Sequence, residues 1–189
     1  MSNEWYMQLS AVKSYLINKD PKLKEVFDIV DASGFQLHTV IKDPYTALVG
    51  AIIGQKISYT TAKSLRSKLY SQYGSVITPQ MLQNQDLSFL GSVPASIITN
   101  VTNYIIINNV DLHTEAGIRS LINVNGVGSW TIDTTLLTCL KHWDLFPLND
   151  KFLQTRMKRL YGKDCDMKTI SNNWAPYRSL VTWYLWRWF

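Results

Sequence analysis

The chain has 189 residues, of which 46% are hydrophobic and 17% charged, with a formal net charge of +5. This length suits one medium domain or two small lobes, and the lack of any run of about 18 uncharged apolar residues excludes a helical membrane span. The two cysteines, Cys139 and Cys165, are too few for a four-cysteine zinc or iron–sulfur site.

The N-terminus "MSNEWYMQLS" has no basic segment followed by an apolar stretch. A secretory leader is therefore not expected, and a cytoplasmic or nuclear location with reduced thiols is. Trp5, Leu9, Val12 and Leu16 follow a helical spacing. Asp20-Pro21 reads as an N-cap followed by proline at the first helical position, with Gly34 as the stop. Asp43-Pro44 repeats that start signal for "YTALVGAII". Ser58 is placed to cap a helix carrying Ala62, Leu65 and Leu69 and ending at Gly74, and Thr78-Pro79 opens a short one. The β-branched run over 95–108 fits a strand or a helix. Because no partner strand is evident, a helix is expected. Further helices fit 114–122, 129–140, 151–161, 167–173 and 175–188, with Pro176 in the first turn of the last. The predicted fold class is all-α, with about ten short helices. The expected organisation is one lobe over about 40–140 and a second from 1–39 plus 141–189, with a groove between them.

Two features carry functional information. From Pro44 to Gln85 there is no Asp or Glu, yet Lys56, Lys63, Arg66 and Lys68 are present. Charge of a single sign suits either a solvated helix face or a surface facing phosphates. The second feature is "LINVNGVGSWT" (121–131), which reads as helix, tight turn, helix. Gly126 and Gly128 can take positive φ or let another backbone come close. Backbone amides at the start of the following helix then form an anion site that fits a phosphate. A packing turn would use the same glycines. Asp150, just before "KFLQTRMKRL", reads locally as an N-cap, a setting that favours negative charge. Asp133 and Asp144 have surface or helix-end roles by default. His38, His113 and His142 form no metal-binding spacing.

"NVNGVGSWT" resembles the hairpin of the helix-hairpin-helix DNA glycosylases. Three further segments match in order: "AIIGQKIS" (51–58), "FPLND" (146–150) and "WAPYRSLVTWYLWRW" (174–188). Asp150 follows Trp130 by 150 − 130 = 20 residues, the spacing usual in that family. The resemblance spans about 44–188 and is strongest to the alkylpurine branch. It implies a compact two-lobed helical fold with a cleft, lacking the β-rich N-terminal domain that some members carry.

Family membership would assign roles as follows. Gly126, Val127, Gly128, Ser129 and Thr131 would bind the DNA backbone. Gln55, Lys56, Ile57 and Ser58 would form the segment that wedges into the duplex. The family commonly has Gln or Leu where Lys56 stands. Either the Lys56 stem fills the gap left by the flipped nucleotide while its ammonium reaches a phosphate, or Ile57 is the wedge. Asp150 would be catalytic, stabilising positive charge on the sugar and orienting water. Trp130 and Trp186 would line the base pocket, with Tyr59, Tyr177 and Tyr184 as neighbours, and stack on a cationic alkylpurine. Thr134 stands where some relatives have an aromatic ring. Relatives with a lyase step carry lysine at the Trp130 position, and no lysine lies between Arg119 and Thr138. Hydrolysis without AP-lyase activity is thus expected. The carbonyls of Ile122, Val124 and Val127 would hold a monovalent cation (Na or K). No cofactor is required and no iron–sulfur cluster is expected. The partner implied is double-stranded DNA with a damaged base, met by a monomer. The reaction implied is excision of bases such as 3-methyladenine and 7-methylguanine in base excision repair. Deaminated or etheno bases, or damaged-DNA binding without catalysis, are the alternatives.

Overall fold

The computed structural model describes residues 4–37, 43–139 and 142–189. The expected lobe boundaries near 40 and 140, and His38, lie outside them, as does the Trp5 side chain. The described residues form eleven α-helices and short 3₁₀ turns, with no strand among them. They belong to two compact units, Val40–Lys141 and Met1–Thr39 together with His142–Phe189.

The first unit is built on α3 (Pro44–Ile53), whose ten residues are all buried. It starts where Asp43 accepts hydrogen bonds from the amides of Tyr45 and Thr46, with Pro44 at the first position. A helix apolar all round must be enclosed. It packs against α8 (Ser129–Cys139), α6 (Ser92–Ile107) and α4 (Tyr59–Tyr73). Its buried polar group Thr46 exchanges hydrogen bonds with the backbone of Ile77, so burial leaves no orphan there. The run 95–108 is indeed helical, because its buried set, Ile97, Ile98, Val101, Thr102 and Ile105, recurs at helical spacing. Ser58 and Gly74 bound α4, and Thr78 caps α5 (Pro79–Leu82). The segment expected as one helix over 114–122 is α7 (Glu115–Ser120) followed by a 3₁₀ turn, Leu121–Asn123, leading into the hairpin.

The second unit holds α1 (Glu4–Lys19), α2 (Leu23–Ala32), α9 (Lys151–Tyr161), α10 (Met167–Asn172) and α11 (Arg178–Leu185). Its core includes Leu16, Phe27, Leu153, Met157, Trp174 and Leu185. Two helix starts differ from expectation. Asp20 opens the turn ahead of α2 and not the helix itself: its Oδ1 accepts the Lys22 amide at 3.2 Å, while its Oδ2 accepts hydrogen bonds from the Tyr161 hydroxyl and Trp174 Nε1. The helix begins at Leu23 without a side-chain cap. Pro176 is not in the first turn of α11. Residues 174–177 form a turn closed by the Tyr177 amide on Trp174 O, so the helix starts at Arg178. Trp183 and Trp188 are core, while Trp186 is half-buried.

Candidate active site and nucleic-acid interface

In the hairpin, Val124 turns extended after the 3₁₀ turn, and its carbonyl accepts the Val127 amide at 3.0 Å. Gly126 follows at φ +89°. A Cβ there would lie 2.5 Å from Ile97 Cγ1, so both conformation and space require glycine. Gly128 differs, since nothing lies within 4 Å of a Cβ built on it. Its amide donates to nothing among the described residues. The first α8 hydrogen bond at this end runs from the Ile132 amide to Gly128 O at 3.1 Å. The amides ahead of Ile132 therefore come before the helical ladder, where an anion is favoured.

Two residues expected to touch DNA point inward instead. The Val127 side chain is buried and its amide is used within the hairpin. Thr131 is 2% exposed. Its hydroxyl accepts a hydrogen bond from Gln55, and its carbonyl accepts one from Thr135 Oγ1. Ser129 is exposed at the start of α8.

The loop after α3 carries Gln55, Lys56, Ile57 and Ser58. Lys56 has φ +57°, unusual for a residue with a side chain. It and Ile57 are exposed. Ser58 caps α4 by accepting the Thr61 amide at 3.1 Å. Beneath the loop, Arg66 donates from Nε and Nη2 to Gly50 O at 2.9 and 2.7 Å. Its guanidinium lies over Gly54, where a Cβ would be 2.7 Å from Nη2. Burial lowers its pKa. Tyr59 is 76% exposed beside this loop.

In the second unit, Asp150 is 4% exposed at the N-cap of α9. Its Oδ1 accepts the amides of Phe152 and Leu153 at 2.8 and 2.9 Å. Its Oδ2 accepts Trp186 Nε1 at 3.2 Å. The capping role and a fixed carboxylate thus coexist, one oxygen serving each. The contact with the Trp186 indole was invisible in sequence, where the two residues are 36 apart. Trp186 packs edge-on against Trp183, with ring centroids 5.1 Å apart. Tyr177 is half-buried, edge-on to Tyr15 and Trp143. Tyr184 is 1% exposed, enclosed by Phe27 and Phe35, and donates its hydroxyl to Asp31. It is a core residue and cannot face a base. Asp144 is held by Arg178 through bonds of 2.6 and 2.9 Å, which gives both a structural role.

Trp130, the second residue of α8, is half-buried in the first unit. One turn on, the Thr134 hydroxyl is buried without a hydrogen-bond partner, while Thr131, Thr135 and Thr138 of the same helix are all bonded. No group of three or more His, Cys, Asp or Glu side chains among the described residues could hold a metal ion.

The structure is similar to that of the Schizosaccharomyces pombe 3-methyladenine DNA glycosylase Mag1 in complex with abasic DNA. The TM-score is 0.77 at 18% identity, covering 93% of this chain and 95% of that one. The fold is therefore that of the helix-hairpin-helix DNA glycosylases. Its sequence relatives lie in the alkylpurine branch. The chain is 24% identical over 164 residues to the S. pombe alkylbase DNA glycosidase-like protein mag2, covering 76% of this chain and 77% of that protein. It is 26% identical over 176 residues to a Bacillus subtilis DNA-3-methyladenine glycosylase, covering 78% of this chain and 57% of that one. No protein-family model matches the chain.

Proposed function

We propose that this protein is a DNA glycosylase that flips alkylated purines out of duplex DNA and hydrolyses their N-glycosidic bond. The observation that carries the reading is Asp150, a buried carboxylate held by two backbone amides and one indole N–H. Departure of the base leaves positive charge on deoxyribose, and a carboxylate already oriented stabilises that charge without reorganising. The same group orients a water for attack on the sugar. Alkylated purines suit this reaction because their positive charge weakens the bond and favours stacking on an indole ring, the kind of ring that Trp130 carries. A half-buried tryptophan at that position supplies no amine for a Schiff base, so the reaction ends at hydrolysis without strand cleavage.

The Gly128 amide and the start of α8 grip one DNA phosphate. The carbonyls of Ile122, Val124 and Val127 are the proposed ligands of a monovalent cation. Neutral oxygen donors suit a hard ion, and Val124 O keeps a lone pair beyond the one taken by Val127 N–H. The ion would supply positive charge beside that phosphate.

The test is release of free methylated base from alkylated duplex DNA, wild type against Asp150→Asn. Asparagine keeps the cap, so the fold should hold, and release should fall by roughly 10²–10³-fold. Equal release from both would refute the catalytic assignment. Tight binding to abasic-site DNA with no release of any base would favour a damage-binding protein. Borohydride trapping of a covalent adduct would contradict hydrolysis without a lyase step.

A further inference from the structure

Gln55 lies in the Gly54–Ser58 loop beside the exposed Lys56 and Ile57, yet its side chain reaches back to the hairpin and to α8. Its Nε2 donates to Gly126 O at 3.0 Å and to Thr131 Oγ1 at 2.9 Å. Both N–H bonds of the amide are thereby used, on acceptors 71 and 76 residues away. Gly126 O and Val127 N share one rigid peptide plane. That plane is pinned at both ends, by Gln55 on the oxygen and by Val124 O on the nitrogen. The next amide along is that of Gly128.

The chain on either side of Gln55 is held as well, within α3 before it and at Ser58 after it. Arg66 grips Gly50 O, and Ser58 is committed to capping α4. Between these fixed points stand Lys56, in a left-handed conformation, and Ile57. A residue with a side chain keeps such a conformation when its surroundings over-determine it.

We propose that Gln55 is a positioning residue that ties the duplex-entering loop to the phosphate-gripping hairpin, so that a phosphate held at the hairpin sets the depth and direction of Lys56 and Ile57. This rests on the proposed function for its reaction but not for its geometry. Gln55 then acts through Lys56 and Ile57 and has no direct DNA contact of its own. Its amide matters because Gly126 O can only accept, so glutamate at 55 would set a carboxylate oxygen against that carbonyl even where the Thr131 hydroxyl turns to donate to the other oxygen.

The experiment compares Gln55→Leu, Gln55→Glu and Thr131→Ser in base release, each with and without Lys56→Ala. Gln55→Leu and Gln55→Glu should lower kcat about tenfold, the loss expected from about 1.4 kcal/mol of misplacement. KM should change less than twofold. Thr131→Ser, which keeps the hydroxyl, should retain activity. Lys56→Ala should cost the wild type activity and add little in the Gln55→Leu background, because coupled residues are non-additive. A folded Gln55→Leu protein with unchanged kcat, or fully additive effects, would overturn the proposal. A purely structural role would instead lower thermal stability and leave the Lys56→Ala effect intact. Backbone order parameters at Lys56 and Ile57 in the DNA-free protein read the tie without any catalysis. They should fall in Gln55→Leu, and unchanged values would refute it even if the wild type released no base.

Discussion

The two hairpin glycines should fail in different ways when replaced by alanine. At Gly126, φ is +89° and a Cβ would lie 2.5 Å from Ile97 Cγ1 and 2.7 Å from its Cδ1. A left-handed backbone costs an L-residue roughly 1–2 kcal/mol, and overpacking against a stiff β-branched neighbour adds about 1–3 kcal/mol. Gly126→Ala should therefore lose about 2–5 kcal/mol, which for a chain of this size lowers Tm by roughly 4–20 °C. Ile97→Val deletes Cδ1 and should recover part of that loss in the double variant. At Gly128 a Cβ meets nothing within 4 Å, so Gly128→Ala should change stability by no more than about 1 kcal/mol. Its cost should appear in binding, because the methyl group would stand beside the amides proposed to hold a phosphate. Losing one charge-assisted contact of about 1.5–3 kcal/mol weakens affinity for abasic-analogue duplex roughly 10- to 150-fold. Thermal unfolding and fluorescence anisotropy on the same proteins separate the two effects. The reasoning is refuted if Gly128→Ala is as destabilised as Gly126→Ala, or if it binds DNA like the wild type.

Three more outcomes are expected. Trp186→Phe keeps an aromatic ring but removes the N–H donated to Asp150 Oδ2. Base release should drop about tenfold, and unaltered kcat would show that the indole N–H does not position the carboxylate. Thr134→Val replaces a buried hydroxyl that has no partner with a methyl group of similar size. Stability should stay level or rise by about 1 kcal/mol in chemical denaturation, and a drop would mean the hydroxyl is bonded in solution. Asp144 has a lowered pKa, chiefly through its hydrogen bond from Arg178. Its stabilising contribution is full above the ordinary value of 3.8 and is lost as pH falls through the lower folded value. Asp144→Asn should flatten that acid limb in a plot of Tm against pH. An unchanged limb would remove Asp144 from the linkage.

Much of this protein can be read along the chain because its determinants are local. Asp43-Pro44, Ser58, Thr78-Pro79 and Asp150 each start a helix through a side chain and amides two or three residues away. The all-α class and the hairpin's position follow from such signals and from helical periodicity. Reading failed where a long-range partner took over a side chain. Asp20 looks like a helix cap, but its Oδ1 reaches only the Lys22 amide in the turn before α2, and Tyr161 and Trp174 take its Oδ2. Tyr184 looks like a pocket aromatic, but Phe27, Phe35 and Asp31 enclose it. Thr131 looks like a DNA contact, but it is 2% exposed and its hydroxyl accepts the Gln55 amide. Local sequence sets where these four capped helices begin, since capping needs only a few neighbouring atoms. Only tertiary packing, bringing residues 36 to 76 positions apart into hydrogen-bond distance, decided that Trp186 meets Asp150 and that Gln55 reaches the hairpin.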